Sequence, residues 1–392
     1  MDLKLFFSPL PEGVAADIKA YNSFYKSIKV NEGQMPEIKG EDIALIGIEE
    51  DRGTEKNKGV NKAANELRRR LYNLKKGIGR YRIVDLGNLK SGIHLEDTYL
   101  RLKEVCQYLI EHDVLPIVIG GSHDMDYGQF LAFQELEKLI SLLNIDATLD
   151  MEDGKQLCWS ENHIQKIMMH EPNFLFNYSQ LGHQTYLIDS AAIDVLEKLY
   201  FGAYRLGHLR HNIKEMEPVI RDADMLSFDI TAIKSIDAPG NANAQAFGLT
   251  GEEACQICWY AGLNEKMSSA GFYEYNPEMD LHGKTASVVA TMIWYFIEGF
   301  YHRKNEKDFK NNDYLKYVVS MPNEPATLVF FKSKLSDKWW LEVPFPEGKE
   351  RSNKWEFEIH RNCIVPCSYA DYEIANKGEL PERWINTHAK LV

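Results

Sequence analysis

Three stretches of this chain deliver an imidazole or carboxylates where an apolar, β-branched run ends. VLPIVIG (114–120) leads into Gly121-Ser122-His123-Asp124, and LISLLNI (139–145) leads into Asp146-Ala147-Thr148-Leu149-Asp150. DMLSFDI (224–230) contains Asp229, with Thr231 just beyond. One imidazole and three carboxylates, if brought together, form a donor set for a hard or borderline divalent cation such as Mn²⁺. Each fragment also has a plainer reading. A His after two glycines serves as a core-edge residue, and a strand-end Asp as a helix N-cap, the role expected of Asp124. Asp153 reads as a solvated loop carboxylate. The convergence of the fragments favours the metal.

Chemistry at strand ends requires a framework that brings those ends together. From residue 42 onward short β-branched runs alternate with stretches of 3.6-residue period, the pattern of a parallel sheet covered by helices on both faces. Strands are expected at 42–48, 81–86, 114–120, 139–145, 184–189, 224–230 and 269–275, and helices at about 59–75, 96–112, 126–138, 190–199, 213–222, 250–264 and 283–303. In such sheets ligands bind outside the carboxyl ends of the strands. Residues 1–40 read as an N-terminal arm, 41–304 as the α/β domain and 305–392 as an appended β-rich extension for packing or oligomer contact. Within that extension ATLVFF and KWWLEVPF have strand character, and the Pro in the second favours an edge position.

Composition removes several function classes. The chain has 392 residues, 44% hydrophobic, with 45 Lys+Arg against 58 Asp+Glu and a formal net charge of −13. A core of ordinary size is available, and the negative field repels nucleic acid and anionic membranes. The N-terminus lacks the apolar run of a signal peptide and no segment reaches bilayer length, so a cytoplasmic location is expected. Six cysteines are too sparse for a disulfide framework. Cys255-x-x-Cys258 with Cys363-x-x-x-Cys367 gives an alternative, a thiolate zinc site, disfavoured because Cys255 and Cys258 lie in a helical pattern.

GGSHD, NIDATLD, SFDITAIKSIDAPG, FGLTGEE and FYEYNPEMD occur in the order and approximate spacing of the ureohydrolase superfamily of arginases, agmatinases and formimidoylglutamases, and the resemblance covers about 42–303. EDIALIGIEEDRG and KGVNKAANELRRRLYNL resemble its opening strand, loop and helix, while GGSHD, FNYSQLGHQ and DAPG are similar to the formimidoylglutamase branch. The resemblance implies a three-layer α/β/α arginase-like fold and two Mn²⁺ ions sharing a hydroxide that attacks a guanidino or amidino carbon. It assigns His123, Asp146, Asp150 and Asp229 to one metal. The second metal would share Asp146 and Asp229, but the family's His and Asp are replaced by Thr148 and Thr231. One Mn²⁺ site is thus retained and the other degraded.

The same resemblance makes Glu274 the acceptor for the substrate's cationic group, a role that suits a carboxylate facing a planar cation. His163 and Asn162 fall where the family carries substrate-proximal residues, which suggests a proton-shuttle role for His163. Arg205, Arg210 and Lys166 are the cations available for a substrate carboxylate. Two expectations follow: a hydrolase of linear amidine or guanidine C–N bonds, or a non-catalytic protein of the same fold acting as a binding scaffold. Either could assemble as a homo-oligomer.

Overall fold

Runs as uniformly apolar as IALIGI and LPIVI belong in strands buried on both faces, and that is where they lie. The computed structural model describes all residues except 17, 19, 152–158, 307–312, 345–362 and 392. Asp153, Cys158 and Trp355 therefore lie outside the described residues. Its strands are β1 (Phe7–Ser8), β2 (Lys29–Val30), β3 (Ile43–Ile48), β4 (Ile83–Leu89), β5 (Leu115–Ile119), β6 (Ile140–Ile145), β7 (Leu175–His183), β8 (Gly202–Arg205), β9 (Met225–Asp229) and β10 (Ser269–Tyr273). Its helices are α1 (Ala63–Asn73), α2 (Leu95–Glu111), α3 (Asp126–Glu135), α4 (His163–Met168), α5 (Ser190–Lys198), α6 (Leu206–His211), α7 (Glu217–Arg221), α8 (Gly251–Leu263) and α9 (Lys284–Tyr301).

The ten strands form one sheet in the order β1-β4-β3-β5-β10-β9-β6-β7-β8, with β2 also on β4. All pairings are parallel except β1 on β4. Apolar faces of α1, α7, α8 and α9 bury one side of the sheet, and those of α2, α3 and α4 bury the other. This is the three-layer α/β/α architecture expected. No helix of the described residues is long and apolar enough to cross a membrane.

One strand is displaced from its expected place. QTYLID (184–189) forms a 3₁₀ turn and the N-cap of α5, where Asp189 accepts from the Ala191 N–H at 3.0 Å. The strand is the preceding β7, whose polar residues disguise it. Its Gln180 takes a hydrogen bond from Asn144 Nδ2 at 2.9 Å and donates to the Thr148 carbonyl at 2.7 Å, contacts that permit burial. The strand β8 and helix α6 were not anticipated either.

His183 ends β7 in register with Arg205 of β8. Burial, reinforced by the Arg205 charge, lowers its pKa from 6.5 to about 4. Between those values the unfolded chain binds a proton that the folded chain refuses, so stability falls as pH drops through the window. Relative to His183→Gln, the wild type should lose on the order of 2 kcal/mol between pH 6.5 and 4 in chemical denaturation. Parallel pH profiles for the two proteins would remove His183 as the cause.

The C-terminal extension is a second, antiparallel sheet of β11 (Tyr314–Ser320), β12 (Thr327–Ser333), β13 (Trp339–Glu342) and β14 (Ile364–Cys367), joined by α10 (Tyr369–Asn376) and α11 (Glu382–Leu391). KWWLEVPF does not supply an edge strand: β13 pairs with both β12 and β14, and Pro344 lies beyond its end. Among the described residues the edges are β11 and β14, and β14 carries Pro366. Leu328, Phe330, Trp339, Leu341 and Trp384 share a small core of its own. Arg221 of α7 ties this unit to the main domain, donating to the carbonyls of Trp339 at 3.1 Å and Cys367 at 3.3 Å beneath the Trp340 ring. Cys258 lies in the main core and Cys367 in the extension's core, and burial pushes both thiols up.

Candidate metal centre and active-site cleft

The strand order decides the site. β5, β10, β9 and β6 are successive neighbours at the middle of the sheet, and the residues at their carboxyl ends are His123, Glu274, Asp229 and Asp146. Asp150 follows in the loop after β6.

His123 Nδ1 lies 3.2 Å from Asp229 Oδ2 and 3.6 Å from an oxygen of both Asp146 and Asp150. These four side chains can each place a ligand atom around one ion. His123 Nδ1 and Asp146 Oδ2 are buried without a hydrogen-bond partner, a costly state for a polar atom unless a further group completes it. Their other atoms are satisfied. His123 Nε2 meets Ser227 Oγ at 2.9 Å, and Ser227 donates to Asp126 Oδ2 at 2.9 Å. This is the outer support that orients a ligating imidazole. The donor set and its orphaned atoms fit a divalent cation.

Electrostatics point the same way. Burial and the charges of Asp150 and Asp229 push Asp146 well above the carboxylate range. Burial also opposes the charge on Asp150, but the neighbouring His123 ring and the hydrogen bond with His163 outweigh it and hold that carboxyl below its usual value. Three acids around one imidazole leave negative charge that a cation would neutralise.

At the positions of Thr148 and Thr231 the hydroxyls donate to those same acids. Thr148 Oγ1 lies 2.8 Å from Asp150 Oδ1, and Thr231 Oγ1 lies 2.9 Å from Asp146 Oδ1. The Thr side chains thus engage two oxygens of the acidic cluster.

Glu274 is held from both sides. Its Oε1 accepts the His123 N–H at 2.9 Å and its Oε2 accepts from Asn57 at 2.7 Å; Asn57 and Asn241 also donate to its carbonyl at 2.9 and 2.7 Å. These bonds hold a backbone φ of +67° that a Glu rarely adopts, and Asp150 has a φ of +47°. Burial, then Asp229, pushes the Glu274 carboxyl up to about 8. Gly121, before His123, permits the tight approach: with a φ of +81°, a Cβ there would meet Ile48 Cγ2 at 2.7 Å.

Asp150, Asp229 and Glu274 line a cleft of about 880 Å³. His163 does not line it. It is buried between Asp126, 2.8 Å from Nδ1, and Asp150, 3.1 Å from Nε2, with its ring centroid 4.1 Å from that of His123. Burial opposes protonation, but Asp126 holds its pKa at about 9.

A family model described as the arginase family matches residues 41–298. The chain belongs to the arginase family. A formimidoylglutamase of Staphylococcus haemolyticus is 27% identical over 268 residues, 65% of this chain and 85% of that protein. One from a Geobacillus species is 26% identical over 305 residues, 74% and 93% of the respective chains. Among solved structures, Trypanosoma cruzi formiminoglutamase with Mn²⁺ superposes at a TM-score of 0.63 with 20% identity, covering 69% of this chain and all of that one. Bacillus subtilis formimidoylglutamase gives 0.65 with 18% identity, covering 75% and 97%. The arginase-like fold and the likeness to formimidoylglutamases both follow.

In this arginase-family chain several residues expected at the site face elsewhere. Asn162 donates to Gln165 at 2.8 Å, and it is Gln165 that reaches the cleft. Lys166 extends into a cage of Tyr99, Tyr127 and Trp159, 4.2–4.6 Å from the ring centroids. Arg210 donates to the Gly248 carbonyl and lies 3.5 Å from Glu253. Neither they nor Arg205 line the cleft. Asp124 is not a cap; it is buried and accepts the Tyr99 hydroxyl at 2.5 Å. Sequence reasoning missed Asn57, Asn241, Asp126 and Ser227. Asn57 stands in the EKNKG loop of the stretch that resembles the family's opening, the one signal that could have pointed to it.

Proposed function

We propose that this chain is a hydrolase of linear amidine or guanidine C–N bonds that works with a divalent cation, Mn²⁺ first among candidates, held by His123, Asp146, Asp150 and Asp229. The observation carrying the proposal is the pair of buried, unpartnered atoms, His123 Nδ1 and Asp146 Oδ2, within one acidic cluster. Such an ion supplies Lewis acidity and lowers the pKa of the attacking water. Glu274 receives the cationic head of the substrate. Each of its oxygens has one hydrogen bond from the protein, which leaves a lone pair on each for a two-pronged contact with an amidinium. His163 steadies Asp150 and links it to Asp126, acting as a positioning residue.

A second reading, a non-catalytic scaffold, draws support from Thr148 and Thr231. Their hydroxyls bond the Asp150 and Asp146 oxygens, and they bring neither the imidazole nor the negative charge that a second cation would require. Metal content per chain after Mn²⁺ loading and desalting separates the readings. About one ion supports a mononuclear hydrolase, two would mean a rebuilt second site, and none would favour the scaffold. The double change Thr148→His with Thr231→Asp should add a second ion and raise Mn²⁺-dependent amidine hydrolysis at least ~10-fold. A second ion without turnover on any ureohydrolase substrate would place the defect in the pocket.

A further inference from the structure

Beside Asp150, Asp229 and Glu274 the same cleft is lined by Met151, Met168, Leu187, Ile188, Ala192 and Val195. Among the described residues the wall has one cation, Lys56, and this is paired with Glu161 at 2.8 Å. Asp189 adds another negative charge, so outside the Asp150, Asp229 and Glu274 cluster one cation stands against two carboxylates among the described lining residues. The amides of Asn243 and Gln245, which also line it, are neutral, and Gln245 Nε2 donates to the Asn243 carbonyl at 2.6 Å. Lys166, Arg205 and Arg210, the cations the sequence offered for a substrate carboxylate, do not line this space.

We infer that the substrate of this site is a linear amidine or guanidine whose tail is apolar and bears no carboxylate, an inference that rests on the hydrolase reading. A substrate carboxylate would surrender its water beside Met and Leu side chains and meet net negative charge. An alkyl tail meets a matching surface in the same cleft as the seat for its cationic head. Each methylene seated there should tighten binding by about threefold.

The test is a calorimetric titration of the Mn²⁺-loaded full-length protein with guanidinium, butylguanidine, hexylguanidine, 6-guanidinohexanoate and formimidoylglutamate. Affinity should climb from guanidinium to hexylguanidine, and the terminal carboxylate of 6-guanidinohexanoate should weaken binding about tenfold relative to hexylguanidine. Equal or tighter binding of either carboxylate compound would overturn the inference while leaving the hydrolase reading in place. Failure of guanidinium and all its derivatives to bind would overturn both. In the variant Ile188→Arg, 6-guanidinohexanoate should gain about tenfold while guanidinium itself is unchanged. An unchanged preference in a folded variant would show that the tail does not reach this wall.

Discussion

Asp146→Asn should abolish metal binding and, with it, hydrolysis. Asp146 stands at the centre of the cluster, fully buried, with Oδ1 accepting from Thr231 and from the Thr148 N–H, and with Oδ2 unpartnered. The Asn side chain preserves shape and keeps an oxygen for the first two bonds. It replaces the orphaned acceptor by an NH₂ group and removes a charge that a divalent ion needs. Loss of an outer support typically costs ~10–100-fold in metal affinity, so loss of a direct ligand should exceed that. Metal content should fall to background. The apo-protein should become no less stable, because repulsion with Asp150 and Asp229 is relieved, whereas the rise in melting temperature on adding Mn²⁺ should vanish. A variant that retains one ion per chain would refute the assignment.

Arg68→Met should cost about 3–5 kcal/mol of folding stability, the typical price of stranding one partner of a buried ion pair. Arg68 on α1 and Asp85 on β4 are both fully buried, with two guanidinium–carboxylate contacts of 2.8 Å. The guanidinium also donates to the Gly87 carbonyl at 2.9 Å, and Tyr72 donates to Asp85 at 2.7 Å. The guanidinium reaches this position because Gly47 of β3 has no side chain; a Cβ there would come within 2.5 Å of Arg68 Nη1. Urea denaturation measures the loss. Adding Asp85→Asn should restore part of it by neutralising the stranded charge. A loss below about 1 kcal/mol would mean that Asp85 is relieved by another route.

The residues of the candidate cluster were legible because two local patterns coincide near each of them: an apolar run of strand length and a polar residue where it stops. His123, Asp146, Asp150 and Asp229 stand out for that reason. Asn57 does not, since its partner Glu274 is 217 positions away and its own loop has the composition of any solvated turn. In the same way β7 hid behind Ser179 and Gln180, polar residues whose burial depends on partners in other elements. The helix α10 was within reach, because Ser368 and Asp371 form a capping box at its start. The aromatic richness of the extension drew attention to strands instead.

The amino-acid sequence by itself determined the alternation of strands and helices and the kinds of ligand atom at the strand ends. Both depend on local periodicity and on side-chain chemistry. Only the tertiary structure decided that β10 and β9 enter between β5 and β6, because strand order is set by pairing between segments far apart in the chain. The same long-range packing turned Lys166 into an aromatic cage and brought apolar side chains into the cleft that Glu274 lines. A cation on a helix face reads alike in sequence whether it meets substrate, solvent or a ring, and its neighbours in space alone distinguish these.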